Sequence, residues 1–263
     1  MTTAVRISIV IPVWNDAELL ETCLTALATQ SRPADEIIVV DNNSTDESAL
    51  VAVRLGARVL QQPIQGIAAS SAAGFDSATG DLIGRLDADS IPPADWIEQI
   101  EKFAIAAGPL TVVTGPGDFY GAGRFITWIG RTMYLGGFFA SFELILGHSP
   151  IFGSNFMMSR QLWLRVRGSV HRTVRNLHDD IDLSYQLQPD MSVSFKPSLR
   201  VGISARPLGS LRAIARRGAW VESTLRLNFR EMSPLRRRRA RRLWREGNAA
   251  LASTRRLDVG GLL

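Results

Sequence analysis

Hydrophobic and polar positions in the first ninety residues alternate between short apolar runs and segments with helical spacing. Residues 5–14 and 35–42 are nearly continuous apolar runs, as expected of strands that are buried on both faces of a sheet. Between these runs, Leu20, Leu24 and Leu27 recur at helical spacing. Further helices are predicted at 44–56, opened by a capping box of Ser44 and Glu47, and at 67–80, and further strands at 57–62 and from Leu82 onwards. The repeated strand–helix order predicts an α/β fold with a doubly wound, mostly parallel sheet.

Acidic side chains follow three of the predicted strands. In GRLDADS, Asp87 and Asp89 stand two residues apart after an apolar run, so they project from one face of the strand. Two neighbouring carboxylates repel each other, and Mg²⁺ or Mn²⁺ relieves this repulsion because both ions prefer oxygen ligands. An ordinary turn is the alternative, since Asp and Ser are common in turns and two prolines follow. The strand ends PVWND and VDNNSTD belong to the same sheet edge, where α/β proteins bind ligands, and therefore favour a metal and nucleotide site.

Composition narrows the class of protein. The 263 residues are 46% hydrophobic, which is enough for a sizeable core in one large domain or two small halves. A single cysteine, Cys23, excludes an internal disulfide framework and fits a reducing compartment, so we expect a cytoplasmic protein. The apolar stretch 125–147 contains Arg131 and Glu143 and falls short of an uninterrupted membrane span. Contact with a membrane surface remains compatible with this composition.

Positive charge is concentrated near the C-terminus. The chain has a net charge of +5, and residues 233–246 carry seven arginines against one acid. Such a patch suits the phosphates of lipids or nucleic acids, and a solvated tail is the alternative. The sequence contains no dinucleotide-binding fingerprint, phosphate-binding P-loop, zinc-ligand spacing or serine-hydrolase elbow. The phosphates of a bound nucleotide would therefore be held by a metal ion and side chains.

Four segments resemble glycosyltransferase family 2 of the GT-A fold in their order and rough spacing: ISIVIPVWND, IIVVDNNSTDES, GDLIGRLDADS and LHDDIDLSYQL. The resemblance covers about residues 5–205. It implies one GT-A catalytic domain over 1–205, with a nucleotide-sugar half at about 1–115 and an acceptor half at 116–205. The implied fold has a Rossmann-like, mostly parallel central sheet flanked by helices and a smaller mixed region on the acceptor side. A helical, arginine-rich extension would follow at 206–263.

The resemblance also implies roles for individual residues on the donor side. The donor-binding residues would be Pro12, Trp14, Asp16, Asp41, Asp87 and Ala88, and the metal ligands would be Asp87 and Asp89. The implied metal is Mn²⁺ or Mg²⁺, and the implied donor is a UDP-, GDP- or dTDP-sugar. On residue chemistry alone, Asp16 is better explained as a helix N-cap and Asp46 as a turn residue, and a local turn is the alternative for Asp41.

A second acidic segment, residues 178–187, predicts a helix with Asp179, Asp180 and Asp182 in its first turn. Acids at this position are favoured by the helix dipole, so capping is the alternative to catalysis. The resemblance implies that Asp180 is the general base and that Asp179 replaces a more common Glu. The implied acceptor-binding residues are Gly153, Ser154, Asn155 and Asp179. A tight turn before a strand is the alternative for PIFGSNF.

The chain departs from the family pattern at two places. Ser71 and Ala72 stand where many members have Arg and Asn, and GISARPLGS has no His where many members place one near the metal. Because of these departures, the sequence does not determine the donor nucleotide or the complete set of metal ligands. Arginines that resemble the family's arginine-rich segment would contact the diphosphate or simply carry surface charge: Arg206, Arg212, Arg216 and Arg217. The aromatic residues of 119–147 would form an acceptor wall or belong to the core.

Together these features imply a metal-dependent transferase that moves a sugar from a nucleotide-diphosphate sugar to an acceptor hydroxyl with inversion. The acceptor would be a lipid-linked or cell-envelope glycan at the inner membrane face, with residues 234–245 touching anionic lipid. One alternative is a retaining GT-A transferase acting on a small soluble acceptor. Another is a non-catalytic protein that binds nucleic acid or an anionic surface. We expect no nucleic-acid partner, because the basic run is confined to one end and no nucleic-acid-binding motif accompanies it.

Overall fold

The computed structural model describes residues 4–121, 123, 136–206 and 210–260. In chain order the strands are β1 (Ile7–Val13), β2 (Glu36–Asp41), β3 (Arg58–Gln61), β4 (Leu82–Arg85), β5 (Ser90–Ile91), β6 (Thr111–Thr114), β7 (Gly117–Tyr120), β8 (Phe156–Ser159), β9 (Ser192–Phe195) and β10 (Val201–Ser204). The helices are α1 (Ala17–Ala28), α2 (Ser48–Arg54), α3 (Ile67–Ser77), α4 (Trp96–Ala107), α5 (Gly136–Leu146), α6 (Arg160–Val166), α7 (Asp179–Gln186), α8 (Leu211–Glu231) and α9 (Pro234–Gly260). The predicted alternation of strands and helices in the first third is confirmed.

The central sheet has seven strands in the order β3-β2-β1-β4-β8-β6-β9. Strand β1 pairs in parallel with β2 and β4, and β2 pairs in parallel with β3. Strand β8 runs antiparallel to β4 and β6, whereas β9 is parallel to β6. Val13 lies opposite Asp41 in this register, so the carboxyl ends of β1 and β2 meet at one edge. The predicted mostly parallel, Rossmann-like sheet is therefore confirmed.

Strand β1 lies in the middle of the core, and all seven of its residues are buried. Ile7, Ile9 and Ile11 pack on one side with residues of α1 and α4. Val10 points to the opposite side and packs with residues of α3, α6 and α7. Because helices cover both faces, the strand is apolar at nearly every position, which explains the continuous apolar run in the sequence.

A second sheet of three strands, in the order β5-β10-β7, forms the smaller mixed region. Strand β10 is antiparallel to β5 and parallel to β7. Ile203 lies opposite Ser90, and Ser204 lies opposite Tyr120. This pairing holds the segment after β10 close to the turn that contains Asp89.

The predicted capping box at the start of α2 is wrong, because the helix begins at Ser48. Ser44 instead accepts a hydrogen bond from the backbone N–H of Asn15, and its own backbone N–H donates to Asp41. The Asp46 carboxylate accepts from the backbone N–H and the hydroxyl of Ser48. Residues 43–47 therefore form a polar connection between two strand ends, and their side chains stabilise this connection instead of a helix terminus.

Two arginines of α9 are buried at the C-terminal end of α7. Arg237 donates to the backbone carbonyls of Ser184 and Tyr185, and Arg241 donates to those of Leu187 and Gln188. Carbonyl groups at a helix C-terminus lack partners within the helix and carry partial negative charge, which explains why guanidinium groups are stable there. The solvated-tail alternative is therefore wrong for these two arginines.

The division of the chain at residue 205 stays a prediction. Within the described part of the chain, no helix combines the length and the apolar character that crossing a membrane requires.

Candidate active site

The acidic segment after β4 forms a turn whose carboxylates face a cavity. One oxygen of Asp87 accepts a hydrogen bond from Nη2 of Arg85 at 2.7 Å, and the other accepts from the hydroxyl of Ser154. The backbone carbonyl of Asp89 accepts from the hydroxyl of Tyr120 at 2.7 Å. The turn is thus held by β4, β7 and the segment before β8, which keeps Asp87 and Asp89 together at the sheet edge.

Arg85 lines this cavity, and the sequence patterns did not single it out. It is only 1% exposed, although it carries a charge, and it lies between the turn and helix α7. Its Nη2 contacts Asp87, and its Nη1 lies 3.4 Å from Oδ2 of Asp179. The sequence does contain a signal that could have identified it. Arg85 is a charged residue in an apolar strand, and it stands two positions before Asp87 and therefore on the same face.

Asp179 and Asp180 stand in the first turn of α7 and line the same cavity. Asp179 accepts from the Ser71 hydroxyl at 2.6 Å, and Asp180 accepts from the backbone N–H of Gly153 at 3.0 Å. Burial and the neighbouring Asp179 raise the pKa of Asp180, whereas His178 and Arg85 act in the opposite direction. Asp180 is thus a half-buried, oriented carboxylate with an increased affinity for a proton.

The third acid of this helix, Asp182, is buried and hydrogen-bonded within the protein. Asp182 is 1% exposed and accepts hydrogen bonds from the side chain of Asn228 at 2.9 Å and the backbone N–H of His171 at 2.8 Å. The Nδ1 atom of His171 is also 2.8 Å from Asp182. These contacts connect α7 to α8, so Asp182 stabilises the helix that carries Asp179 and Asp180.

A cavity of about 340 Å³ brings the two acidic segments together. Its polar wall contains Arg85, Asp87, Asp89, Ser154, His178, Asp179, Asp180 and Arg217. Its apolar wall contains Ile67, Phe119, Phe138, Phe152, Leu177, Ile181, Ile203, Ile214, Trp220 and Val221. Of the aromatic residues that were candidates for an acceptor wall, Phe119 and Phe138 line the cavity. Phe142 is a core residue in contact with Phe138, and residues 124–135 lie outside the described part of the chain.

A second cavity of about 350 Å³ adjoins the first, because Ile67 and Trp220 line both. Pro12 and Trp14 line it, and the Trp14 side chain is 56% exposed. Two other predicted donor-binding residues, Asp41 and Ala88, are buried and are not part of this lining. Asp41 accepts from the backbone N–H of Ser44 at 3.0 Å, as its turn alternative proposed.

Asp16 does not cap α1 with its side chain. Its carboxylate forms a bidentate ion pair with Arg206, with Nη1 and Oδ1 3.0 Å apart. Nη2 of Arg206 also lies 3.4 Å from Oδ2 of Asp89. Burial and the Asp87 carboxylate raise the pKa of Asp89 to about 6, and Arg206 counteracts part of this shift.

The predicted acceptor contact of Asn155 is wrong. Asn155 is completely buried, and its Oδ1 accepts from Nε1 of Trp96 at 2.9 Å. Its Nδ2 donates to the backbone carbonyls of Leu199 and Pro116. Both polar atoms of the side chain are therefore used inside the protein, where they join α4, β8 and the segment before β10. Gly153 and Ser154 do line the cavity.

The oxygen donors at this edge fit a hard divalent cation. Asp87 and Asp89 both line the cavity, and burial together with the negative charge of Asp87 raises the pKa of Asp89. No group of three or more His, Cys, Asp or Glu side chains suited to a metal occurs in the described ranges. Mg²⁺ and Mn²⁺ are commonly held by one or two carboxylates together with substrate phosphates, so two protein ligands are sufficient.

Solved structures with the same architecture define a class of protein for this fold. A mannosyltransferase from Pyrobaculum calidifontis, in complex with GDP-Man and Mn²⁺, aligns with a TM-score of 0.68 and 18% identity over 90% of this chain and 68% of its own. The glucosyl-3-phosphoglycerate synthase of M. tuberculosis aligns with a TM-score of 0.60 and 20% identity over 85% of this chain and 80% of its own. The fold is thus that of the GT-A-like glycosyltransferases.

The chain belongs to glycosyl transferase family 2, whose model matches residues 8–166. It is 31% identical over 101 residues to glycosyltransferase AglE of Haloferax volcanii, which is 35% of this chain and 33% of that protein. It is 36% identical over 117 residues to the undecaprenyl-phosphate 4-deoxy-4-formamido-L-arabinose transferase of Sodalis glossinidius, which is 40% of this chain and 36% of that protein. The chain therefore matches about a third of the length of these relatives.

Proposed function

We propose that this protein transfers a sugar from a nucleotide-diphosphate sugar to an acceptor hydroxyl, with Asp180 as general base and with Asp87 and Asp89 as ligands for Mn²⁺ or Mg²⁺. The observation that carries the proposal is the single cavity lined both by this carboxylate pair and by Asp179 and Asp180. Donor and acceptor groups would meet there within reach of a base. Two of the similar structures hold GDP-Man with Mn²⁺ and UDP-Glc with Mn²⁺, which supports a donor of this class.

The donor side of the proposed site continues from the cavity to the pocket of Pro12 and Trp14. The half-exposed indole of Trp14 offers an aromatic face for a nucleobase. Asp41 and Ala88 are buried and do not line this pocket, so we assign them no direct contact with the donor. When bound, a divalent ion neutralises the charge that develops on the departing diphosphate.

On the acceptor side, Asp180 would remove the proton of the attacking hydroxyl. The backbone N–H of Gly153 orients Oδ2 of this carboxylate, and burial raises its pKa. A raised pKa brings a carboxylate closer to the range in which a general base is effective at neutral pH. The acceptor oxygen bonds to the anomeric carbon as the bond to the diphosphate breaks, and the proton goes to Asp180. Direct displacement of this kind inverts the anomeric configuration.

The apolar wall of the cavity supports an acceptor with an apolar part. Phe119, Phe138 and Phe152 line the same cavity as the acidic residues, together with aliphatic side chains of α7, β10 and α8. A lipid-linked glycan presents both a hydroxyl for transfer and an apolar chain for such a surface. The relative from Sodalis glossinidius is named for an undecaprenyl phosphate, which is the same class of molecule.

The exposed side of α9 supports a peripheral position at the cytoplasmic membrane face. Leu235 is 80% exposed and Leu243 is 56% exposed, and Arg239 and Arg242 are exposed on the same helix. Apolar and basic side chains on one helix surface favour binding to anionic lipid. Deleting 233–263 would also remove the buried anchors of α9, so charge substitutions are the better test.

The test of membrane binding uses a variant with Arg236, Arg239, Arg242 and Arg245 replaced by glutamine. We expect the variant to lose co-sedimentation with vesicles of phosphatidylglycerol and phosphatidylcholine and to keep its melting temperature. Wild-type protein that stays in the supernatant, or a variant that sediments equally well, would contradict the membrane proposal.

The enzyme itself is tested with a panel of UDP-, GDP- and dTDP-sugars, with and without Mn²⁺, against lipid-linked and soluble acceptors. A ligand that binds only the folded state raises the melting temperature. We expect one donor to raise it in a Mn²⁺-dependent manner, with the effect lost in Asp89→Ala. Asp180→Asn should keep the donor shift and lose transfer by a factor of about 10² to 10⁴. The anomeric configuration of the product, read by NMR, distinguishes inversion from the retaining alternative.

A further inference from the structure

Arg206 connects two carboxylates that come from different strands of the central sheet. Asp16 follows β1 and Asp89 follows β4, which are neighbours in that sheet, whereas Arg206 follows β10 of the second sheet. The guanidinium pairs with both oxygens of Asp16, and its Nη2 reaches Oδ2 of Asp89 at 3.4 Å. Because Ile203 of β10 pairs with Ser90, the fold delivers Arg206 to this place.

The Asp89 carboxylate is surrounded by charged side chains of both signs. Its side chain is 21% exposed, and Asp87 and Asp16 both add to the negative potential around it. Arg206 opposes them through both its charge and its hydrogen bond, and Arg85 interacts with Asp89 through charge alone. The segment that carries Arg206, GISARPLGS, contains no histidine and no acid, so it offers a positive charge in place of a side-chain metal ligand.

We propose that Arg206 is an internal cation for Asp89 in the donor-free protein, so that the divalent ion binds together with the donor diphosphate and not before it. The proposal rests on the metal-binding role of Asp89 proposed above. A guanidinium next to Asp89 repels a second cation and occupies one of its oxygens. A diphosphate adds negative charge that attracts both cations, so their competition for Asp89 ends when the donor arrives. The Arg206 side chain is 57% exposed and can turn without disturbing the core.

The test measures Mn²⁺ binding to the full chain without nucleotide, by the electron paramagnetic resonance signal of free Mn²⁺. Arg206→Gln keeps a polar side chain and removes the charge. The matched control is Arg200→Gln, because Arg200 also forms a bidentate pair with one aspartate, Asp118, and neither residue lines the cavity. We expect Arg206→Gln to bind Mn²⁺ about fivefold more tightly than wild type, and Arg200→Gln to equal wild type.

Two further measurements distinguish a failure of this inference from a failure of the proposed function. The double variant Arg206→Gln with Asp89→Ala should not bind Mn²⁺ more tightly than wild type. Added UDP or GDP should reduce the difference in Mn²⁺ affinity between wild type and Arg206→Gln. Equal Mn²⁺ affinity of wild type and Arg206→Gln, with binding that depends on Asp89, would overturn the inference and leave the metal site intact. Mn²⁺ binding that ignores Asp89 in every variant, with and without nucleotide, would overturn both.

Discussion

Nη1 of Arg85 lies 2.3 Å from the position that a Cβ atom on residue 153 would occupy, so Gly153 and Arg85 fit together only because residue 153 has no side chain. The same Cβ would stand 3.0 Å from Oδ2 of Asp180. The backbone N–H of Gly153 donates to that oxygen. The absence of a side chain at Gly153 therefore allows both the buried guanidinium of Arg85 and the carboxylate of Asp180 to pack against the backbone at this residue.

Gly153→Ala tests this close packing. The added methyl group must displace Arg85 or Asp180, so we expect a loss of about 1–3 kcal/mol in the free energy of unfolding and a large loss of transfer activity. Urea denaturation and a transfer assay measure the two effects. Gly168→Ala is the matched control, because a Cβ there would meet nothing within 4 Å. Equal stability and activity of Gly153→Ala and wild type would contradict the predicted clash.

Arg85→Met tests whether the buried guanidinium keeps the base available. Burial and Asp179 raise the pKa of Asp180, and Arg85 lowers it, so removing Arg85 raises this pKa further. A base is active when it is deprotonated. We therefore expect the acidic limb of the pH profile of kcat/KM to move to higher pH.

A stability change accompanies the shift of the profile. Arg85→Met leaves Asp87 and Asp179 without their buried partner, which should cost about 3–5 kcal/mol. Arg85→Lys keeps the charge and should move the acidic limb less than Arg85→Met does. A variant that is destabilised but has an unshifted pH profile would limit Arg85 to a structural role.

Glu36 should make stability depend on pH at the opposite end of the sheet. Burial alone would raise the pKa of this carboxyl, but hydrogen bonds from Ser8, Thr79 and Arg58 lower it to about 2, against an ordinary value of 4.5. The folded protein then binds fewer protons than the unfolded chain between these values. The stability that Glu36 contributes is complete above about pH 4.5 and is lost as the pH falls towards 2.

Glu36→Gln measures this contribution. We expect the variant to be less stable than wild type at pH 7 by about 2 kcal/mol, with the difference shrinking to nearly zero near pH 2. Urea denaturation across this pH range provides the comparison. Glu21→Gln is the control, because Glu21 pairs with Arg54 at the exposed surface and should change stability little at any pH. A difference that stays constant with pH would contradict the assignment.

Arg237→Met tests the buried contact between α9 and α7. The substitution keeps the apolar stem and leaves the carbonyls of Ser184 and Tyr185 without their donor. An unsatisfied buried carbonyl costs about 1–3 kcal/mol, so we expect at least that loss in the free energy of unfolding. Arg239→Met, on the exposed side of α9, should leave stability nearly unchanged. Equal stability of the two variants would show that α9 is not anchored through Arg237.

Much of the fold followed from local patterns. The apolar runs of β1 and β2 and the helical spacing of Leu20, Leu24 and Leu27 are properties of neighbouring residues, and both are present in the structure. The general rule that parallel strands end at one sheet edge then placed Asp87 and Asp89 beside the other polar strand ends. This part needed only periodicity and the geometry of a parallel sheet.

The tertiary structure decided which charged groups meet. Arg85 pairs with Asp179, which is far away in the sequence, and Arg206 pairs with Asp16 across 190 residues. Asn155 is buried and joins several elements by hydrogen bonds. Arg237 is also buried, although it belongs to an arginine-rich run for which a solvated tail was the alternative. Long side chains find partners according to how helices and sheets pack, and hydrophobic periodicity contains no information about those partners. The sequence by itself thus determined the parallel strands β1 to β4, their acidic edge and the family, and packing decided which groups compensate the charges there.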